Sequence, residues 1–366
     1  MTRLGLLILV LGIARPCHAQ PGPLPAHPTA EDVYRAACVT CHGADGKGSP
    51  ASTLGFATPL PDFTDCAFAT AEPDPDWHAV VNRGGPIRGL NRHMPSFGEA
   101  LSAEHIALAL GHVRSFCTDP AWPRGDLNLP RAFFTEKAFP ENEAVWAASF
   151  STRGDRDATN ELIYERRIGP RNQLELKVPI AFLQDATGSS SRGLGDIALA
   201  FKRTLHANVR RGGIASAGLE VVMPTGREST GLGGGDTVLE PFAMWGQILP
   251  RNAFLQFHAG AELPAGSNAG PKEVFVRSAI GTTLAQDRGF GRAWSPQVEL
   301  LWARPQGGAS EWDLVPQIQV TLSKLQHVSL AAGARVPLTE RGERSTQGLV
   351  YLLWDWFDGG FFDGWK

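Results

Sequence analysis

Two cysteines and a histidine stand within five residues in 38-CVTCHGADGKG-48, and nothing like that stretch recurs in the chain. Carried on a helix, Cys38, Cys41 and His42 share one face, because residues three and four apart are neighbours. Two thiols at that spacing suit thioether bonds to the two vinyl groups of a haem, and the adjacent imidazole suits its iron. Cys-x-x-Cys-His is the signature of covalent haem attachment. A thioredoxin-like pair needs a surrounding βαβ pattern, which the sequence lacks. A zinc site needs a second ligand pair at suitable spacing.

A six-coordinate electron-transfer haem needs a second axial ligand. Of Met1, Met94, Met223 and Met244, Met94 alone lies near the motif. It sits in 92-RHMPSFG-98, on a loop set by Pro95 and Gly98. A lone methionine is also ordinary core filler. His78, His93, His105 and His112 compete, and His93, next to Met94, competes most directly. Met94 is the preferred partner of His42. The soft thioether favours ferrous iron and raises the potential relative to two histidines.

Helices must position these groups. Glu31 to Ala37 has good helix formers and acids at its start, which suit the helix dipole. The stretch 102-SAEHIALALGHVRSF-116 predicts an amphipathic helix with Ser102 as N-cap. Ile106, Ala109, Leu110, Val113 and Phe116 fall on its apolar face, and His105 and His112 read as surface or packing residues. Residues 29–119 with CVTCHG, the HMPSFG loop and a closing helix resemble a class I monohaem c-type cytochrome. The resemblance implies a small all-α fold around one haem c, with its first and last helices in contact.

The wider composition fits export. Arg3, the apolar run Leu4–Ile13 and Cys17-His18-Ala19 read as a signal peptide over residues 1–19, too short for the ~20 residues of a spanning helix. Ala14 stands where a lipoprotein cysteine at 17 needs leucine. Cys66 and Cys117 then remain as an even remainder, which in an exported protein suggests a disulfide, with two separate thiols as the alternative. The 366 residues carry a formal net charge of −3, which gives no electrostatic case for nucleic-acid binding.

Near Asp119 the composition changes. Pro120, Pro123, Gly125 and Pro130 make a linker over 120–130. Residues 131–366 contain no cysteine, and alternation of period two recurs. Gln173, Glu175 and Lys177 oppose Leu174, Leu176, Val178 and Ile180. Ile197, Leu199, Phe201 and Leu205 oppose Asp196, Lys202 and Thr204, with Arg203 an exception on the apolar face. About twelve such segments, of roughly ten residues each, are separated by turn signals. That is the pattern of an antiparallel transmembrane β-barrel. An even count brings both ends to one side. Soluble sandwiches and propellers also alternate, but these segments are long for soluble strands. Tryptophans 245, 294, 302, 354 and 356 near segment ends suit interfacial belts. Mixed faces in 161-ELIYERRI-168, and Pro179, Pro241 and Pro316 within strands, need edge or bulge positions. Lys366 follows Trp365 where such barrels commonly finish on an aromatic residue.

By 193-GLGDIALAFK-202, 221-VVMPTG-226 and 334-ARVPL-338 this half resembles porin-like outer-membrane proteins associated with the phenol meta-cleavage pathway. Cytochrome first and barrel second, the chain resembles cytochrome–porin fusions of iron-oxidising bacteria, whose barrels are larger. The resemblance implies an outer-membrane electron carrier that passes single electrons between an external donor or acceptor and a periplasmic cytochrome or other redox protein. A transport pore with a tethered cytochrome as redox partner or plug is the alternative. A peroxidase-like enzyme needs an open iron position, and no acid–base machinery is evident. Glu161, Glu165 and Arg167 read as a solvated strand face rather than a functional lumen.

Overall fold

The computed structural model describes residues 24–152, 157–184, 189–266, 270–286, 293–342 and 344–356. The expected signal peptide, Cys17 and the terminal aromatic stretch from residue 357 lie outside them.

The first module is helical: α1 Ala30–Ala37, α2 Val39–His42, α3 Ala51–Leu54, α4 Cys66–Ala69, α5 Asp74–Arg83 and α6 Ala103–Ser115. Thr29 caps α1 by accepting from the Asp32 N–H, while the Asp32 carboxylate accepts from the Thr29 N–H, which closes a capping box. Ser102 caps α6 by accepting from the His105 N–H. The apolar faces of α1 and α6 meet through Val33, Ile106, Ala109 and Leu110, all buried. Each large aliphatic chain there contributes about 1.5–3 kcal/mol by leaving water. Cys66 and Cys117 form a disulfide of 2.09 Å that ties α4 to the end of α6.

The second module is one antiparallel sheet. Its strands are β1 Asn142–Ser151, β2 Ala158–Ile168, β3 Asn172–Gln184, β4 Ser190–Leu194, β5 Ile197–Asn208, β6 Gly213–Met223 and β7 Thr237–Ile248. After them come β8 Ala253–Ala265, β9 Glu273–Thr282, β10 Trp294–Pro305, β11 Glu311–Thr321, β12 Val328–Pro337 and β13 Gln347–Asp355. β1 pairs with β13 and β2 with β3, so the sheet closes on itself. β4 only extends the free end of β3; without it the thirteen strands leave a ring of twelve. Closure removes the unpaired edges that a bilayer does not tolerate.

The alternation divides an apolar outer face from the lumen. Leu174, Leu176, Leu199 and Phe201 are exposed on the outer face, and Gln173, Glu175, Lys202 and Thr204 are buried within. Arg203, the exception on the apolar face, donates to the Asn172 side chain at 2.8 Å, close to the rim at the start of β3. The three prolines expected to need edge or bulge positions sit where a ladder is interrupted. Pro179 lies between the β5-paired and β4-paired stretches of β3. Pro241 falls in the gap between the Leu239–Leu263 and Phe242–Gly260 pairs, and Pro316 in the gap between Leu314–Val336 and Gln317–Gly333. At each, the missing N–H costs no ladder bond. Trp245 and Trp294 face outward near one rim, and Trp302 pairs with Trp312 toward the other. Trp356, just past β13, stacks on the exposed Tyr164 near the end of β2, and that packing covers it.

One rim, here called proximal, carries the start of β1, the end of β13 and the connections β2–β3, β5–β6, β7–β8, β9–β10 and β11–β12. The helical module sits on that rim. The chain between the modules is packed throughout rather than strung out as a spacer. Gly125 lies so close to Ala71 that a Cβ would meet its carbonyl oxygen at 1.9 Å. Arg124 pairs with Asp74 and Asp126 at 2.5 and 2.8 Å. Residues 127–141 then enter the lumen as a strap and return to the proximal rim, where β1 begins.

Candidate haem site and its junction with the barrel

Tyr34 on α1 donates from its hydroxyl to the Gly43 carbonyl at 2.7 Å, which fixes the end of α2 against α1. That contact sets the Cys-x-x-Cys-His turn. Cys38, Cys41 and His42 all line a cavity of about 620 Å³, and so does Met94 on the facing loop. The Met94 carbonyl accepts from the Gly85 N–H at 2.9 Å, and the Phe97 N–H bonds the Val81 carbonyl at 2.9 Å, so the loop is anchored to α5. Phe63, Trp77, Val81, Leu110 and Val113 supply apolar walls.

The side chains fit a c-type haem. His42 stacks on Phe63 with ring centroids 4.9 Å apart, and its Nδ1 is buried with no hydrogen-bond partner among the described residues. Burial lowers its basicity, and the neutral imidazole is the form that ligates a metal. Cys38 and Cys41 are free thiols. Burial, then the neighbouring Cys41, pushes the Cys38 thiol up to about 11. His93 lines the same cavity, but its ring stacks on Phe56 at 4.3 Å and its Nδ1 lies 2.8 Å from the Thr58 hydroxyl. His78, His105 and His112 do not line the cavity; His112 packs on Tyr34 and Phe116.

Sequence reasoning missed the polar wall. Glu72, Asp76 and Arg88 line the cavity, and so do Leu325 and His327 from the β11–β12 turn of the barrel. Arg88 pairs with Asp76 at 2.8 Å and donates to the Gln286 carbonyl of the barrel at 2.7 Å. Burial and the nearby Glu72 push the Asp76 carboxyl up to about 7, against the pull of Arg88. His327 Nε2 lies 2.7 Å from Glu72. No local pattern marks His327, since its partner stands 255 residues earlier.

The lumen is built around the strap. Arg131 lies between Glu143 and Glu165 at 2.7 and 2.6 Å, and Lys137 between Glu141 and Glu143 at 2.5 and 2.9 Å. Lys177 gathers Glu136, Glu175 and Glu220 at 2.5–3.0 Å. The backbone N–H groups of Phe133, Phe134 and Thr135 all donate to the Glu299 carboxylate. Lys202, Ser216, Gln256 and Tyr351 donate to strap carbonyls. Phe133 packs on Tyr351, with Ile163, Val145 and Ala331 nearby. Gly333 lets its ring approach: a Cβ there would lie 2.9 Å from Phe133. The mixed faces of β2 follow from this: Ile163 is an apolar lumen residue because it has Phe133 to cover, and Glu165 and Arg167 seat the strap and its approach. Glu165 holds Arg131, and the Arg167 guanidinium lies over Trp122 and Phe139.

Residues 25–113 match the family model described as cytochrome C oxidase, cbb3-type, subunit III. The KdgM porin is 9% identical over 58% of this chain and 99% of its own, with a TM-score of 0.41. An outer membrane channel from Pseudomonas putida F1 is 11% identical over 62% of this chain and 100% of its own, with a TM-score of 0.42. Scores this low carry no weight beside the strand pairings of the chain itself. No curated protein matches. A cytochrome c domain implies haem c and a redox partner, and an outer-membrane porin-like barrel implies surrounding lipid. The chain joins a c-type cytochrome domain, matched over residues 25–113, to a closed twelve-stranded antiparallel β-barrel.

Proposed function

We propose that this protein is a haem-c electron carrier of the outer membrane, with residues 29–119 as the haem domain, 120–130 as the connection and 131–366 as the barrel module with its strap. Cys38 and Cys41 would hold one haem by thioether bonds, with His42 and Met94 on its iron. The haem supplies one-electron chemistry, while this chain's residues anchor it, exclude water and set its ligand field. The proximal rim faces the periplasm in this reading, because short turns and both barrel ends occupy that side in outer-membrane barrels. Single electrons would pass between a soluble periplasmic carrier and a donor or acceptor on the far side.

One observation carries the reading: Cys38, Cys41, His42 and Met94, taken from opposite sides of the module, line one largely apolar cavity. The engagement of His93 by Phe56 and Thr58 supports Met94 as the second ligand. The pore alternative loses support from the strap, which occupies the lumen where a solute would pass. Cell fractionation with haem staining tests the proposal. A heat-modifiable outer-membrane band that carries covalent haem is expected, and an unstained band overturns it.

A further inference from the structure

The haem cavity shares a wall with a second chamber of about 310 Å³ at the barrel mouth, which reaches Arg131, Lys137 and Glu143 of the strap network. Glu72, Asp76, Leu325 and His327 line both. His327 is the barrel's polar contribution to that wall, and its side chain is 4% exposed. The Ser323 hydroxyl accepts from the His327 N–H at 3.0 Å, and the His327 carbonyl accepts from the Asp355 N–H at 2.9 Å, so the turn holds the ring in place.

The ring stands between two carboxylates. Nε2 is 2.7 Å from Glu72 Oε1, and Nδ1 is 3.2 Å from Asp355 Oδ1. The Nε2 contact with Glu72 is a hydrogen bond, and the Nδ1 contact with Asp355 is at ion-pair distance without one; an imidazolium would be attracted to both carboxylates, a neutral ring would serve Glu72 alone. The trio is therefore built to hold a variable proton. Among the described residues, the neighbouring charges have opposite partners, and Asp76 also feels Glu72 and His327. On the cytochrome side Asp76 faces Arg88. On the barrel side Glu141 and Glu143, the acids beyond Asp355, face Lys137, and Glu143 also faces Arg131. A change of one charge in the haem cavity then acts on the trio across a poorly screening wall.

We propose that His327, with Glu72 and Asp355, is a proton-coupling site of the haem, formed only where the barrel turn docks on the cytochrome. This rests on the electron-carrier reading. If a one-electron carrier protein reduced a haem bound in the cavity, the trio would take up one proton from bulk solvent, relayed by water in the second chamber. Reoxidation by the next acceptor releases that proton, so charge and mass balance over the cycle. The chamber is polar and roomy enough to hold the water this requires.

Potentiometric titration of the full-length, detergent-solubilised holoprotein from pH 5 to 9 tests it. The midpoint potential is expected to fall as pH rises, by up to a tenfold change in equilibrium constant per pH unit, which is about 59 mV for one electron. In His327→Gln the slope is expected to shrink to the part that Asp76, on the same wall, supplies, and in His327→Gln with Asp76→Asn to disappear. Glu72→Gln, a change at the cytochrome surface, moves the window and keeps the argument testable if the first variant does not fold. Pyridine haemochrome spectra confirm that all three retain haem; His93, beside Met94, is unchanged in each. A flat wild-type profile overturns the proposal. So does a slope that survives undiminished in both His327→Gln and Glu72→Gln, or one that only Asp76→Asn removes. Wild-type protein without covalent haem overturns the carrier reading itself, a separate and visible result.

Discussion

The two modules fill their interiors by opposite rules. In the cytochrome, Val33, Ile106 and Leu110 turn apolar faces inward and leave a cavity. In the barrel the large exposed apolar residues face outward, and the inside combines apolar patches against the strap with Glu143, Glu165, Lys202 and Glu299. A strap of the same chain enters that polar interior, carrying Arg131 and Lys137 to acids that would otherwise be buried without partners. The helical interior keeps an apolar cavity, whereas the main charges of the barrel interior are partnered by the chain's own strap. The contrast teaches what sets the proposed haem site apart: among the described residues, an apolar cavity meets a charged wall at this junction.

The largest effect that sharpens this contrast is at the cavity. Replacing Cys38 and Cys41 with serine removes both thioethers, and haem staining of the outer-membrane band is expected to vanish while heat-modifiability of the barrel persists. Persistent covalent haem in that variant rules out the attachment site. The matching break in the lumen is Arg131→Ala. It leaves Glu143 and Glu165 without their shared guanidinium, and removing one partner of a buried ion pair costs about 3–5 kcal/mol. The strap should loosen, giving open-channel events in planar bilayers that the parent lacks. A channel as silent as the parent's, with unaltered unfolding, removes Arg131 as the strap's anchor.

Much of the fold was legible because its signals are local. The Cys-x-x-Cys-His turn, the Ser102 cap and the twelve alternating segments each depend on residues within a few positions of one another. The strap was not legible. Phe133, Phe134 and Phe139 lie just past a proline-rich boundary and read as the beginning of the barrel module. Their partners, Tyr351, Glu299 and Arg167, lie on strands far along the chain. Ile163 looked like a flaw in β2 for the same reason. His327 and Glu72 meet only because the barrel turn docks on the cytochrome, and no spacing rule spans such a separation.

A smaller break lies in the disulfide. Cys66 and Cys117 close a loop with a sequence separation of 51. The double change Cys66→Ala, Cys117→Ala should lower the stability of the cytochrome module by about 2–4 kcal/mol, chiefly by freeing the unfolded chain. Denaturant unfolding followed at the haem should register it, while barrel melting stays put. Equal losses in both modules would mean that they unfold as one unit.

The finest test concerns Asp76, on the wall where the two interiors meet. Burial and Glu72 raise its folded-state pKa to about 7, from an ordinary value near 3.8. The folded state thus holds a proton that the unfolded chain releases first. The stability this gives is fully present below about pH 4 and is lost as pH rises through about 7. Thermal melting of the holoprotein, followed at the haem, should therefore show the cytochrome weakening between those limits. Asp76→Asn keeps an oxygen for Arg88 but cannot ionise, so its melting temperature should drift less over the same range, even if it starts lower. Parallel curves for the two proteins would mean that Asp76 stays ionised beside Arg88 throughout, and that the wall is a fixed ion pair rather than a titrating one.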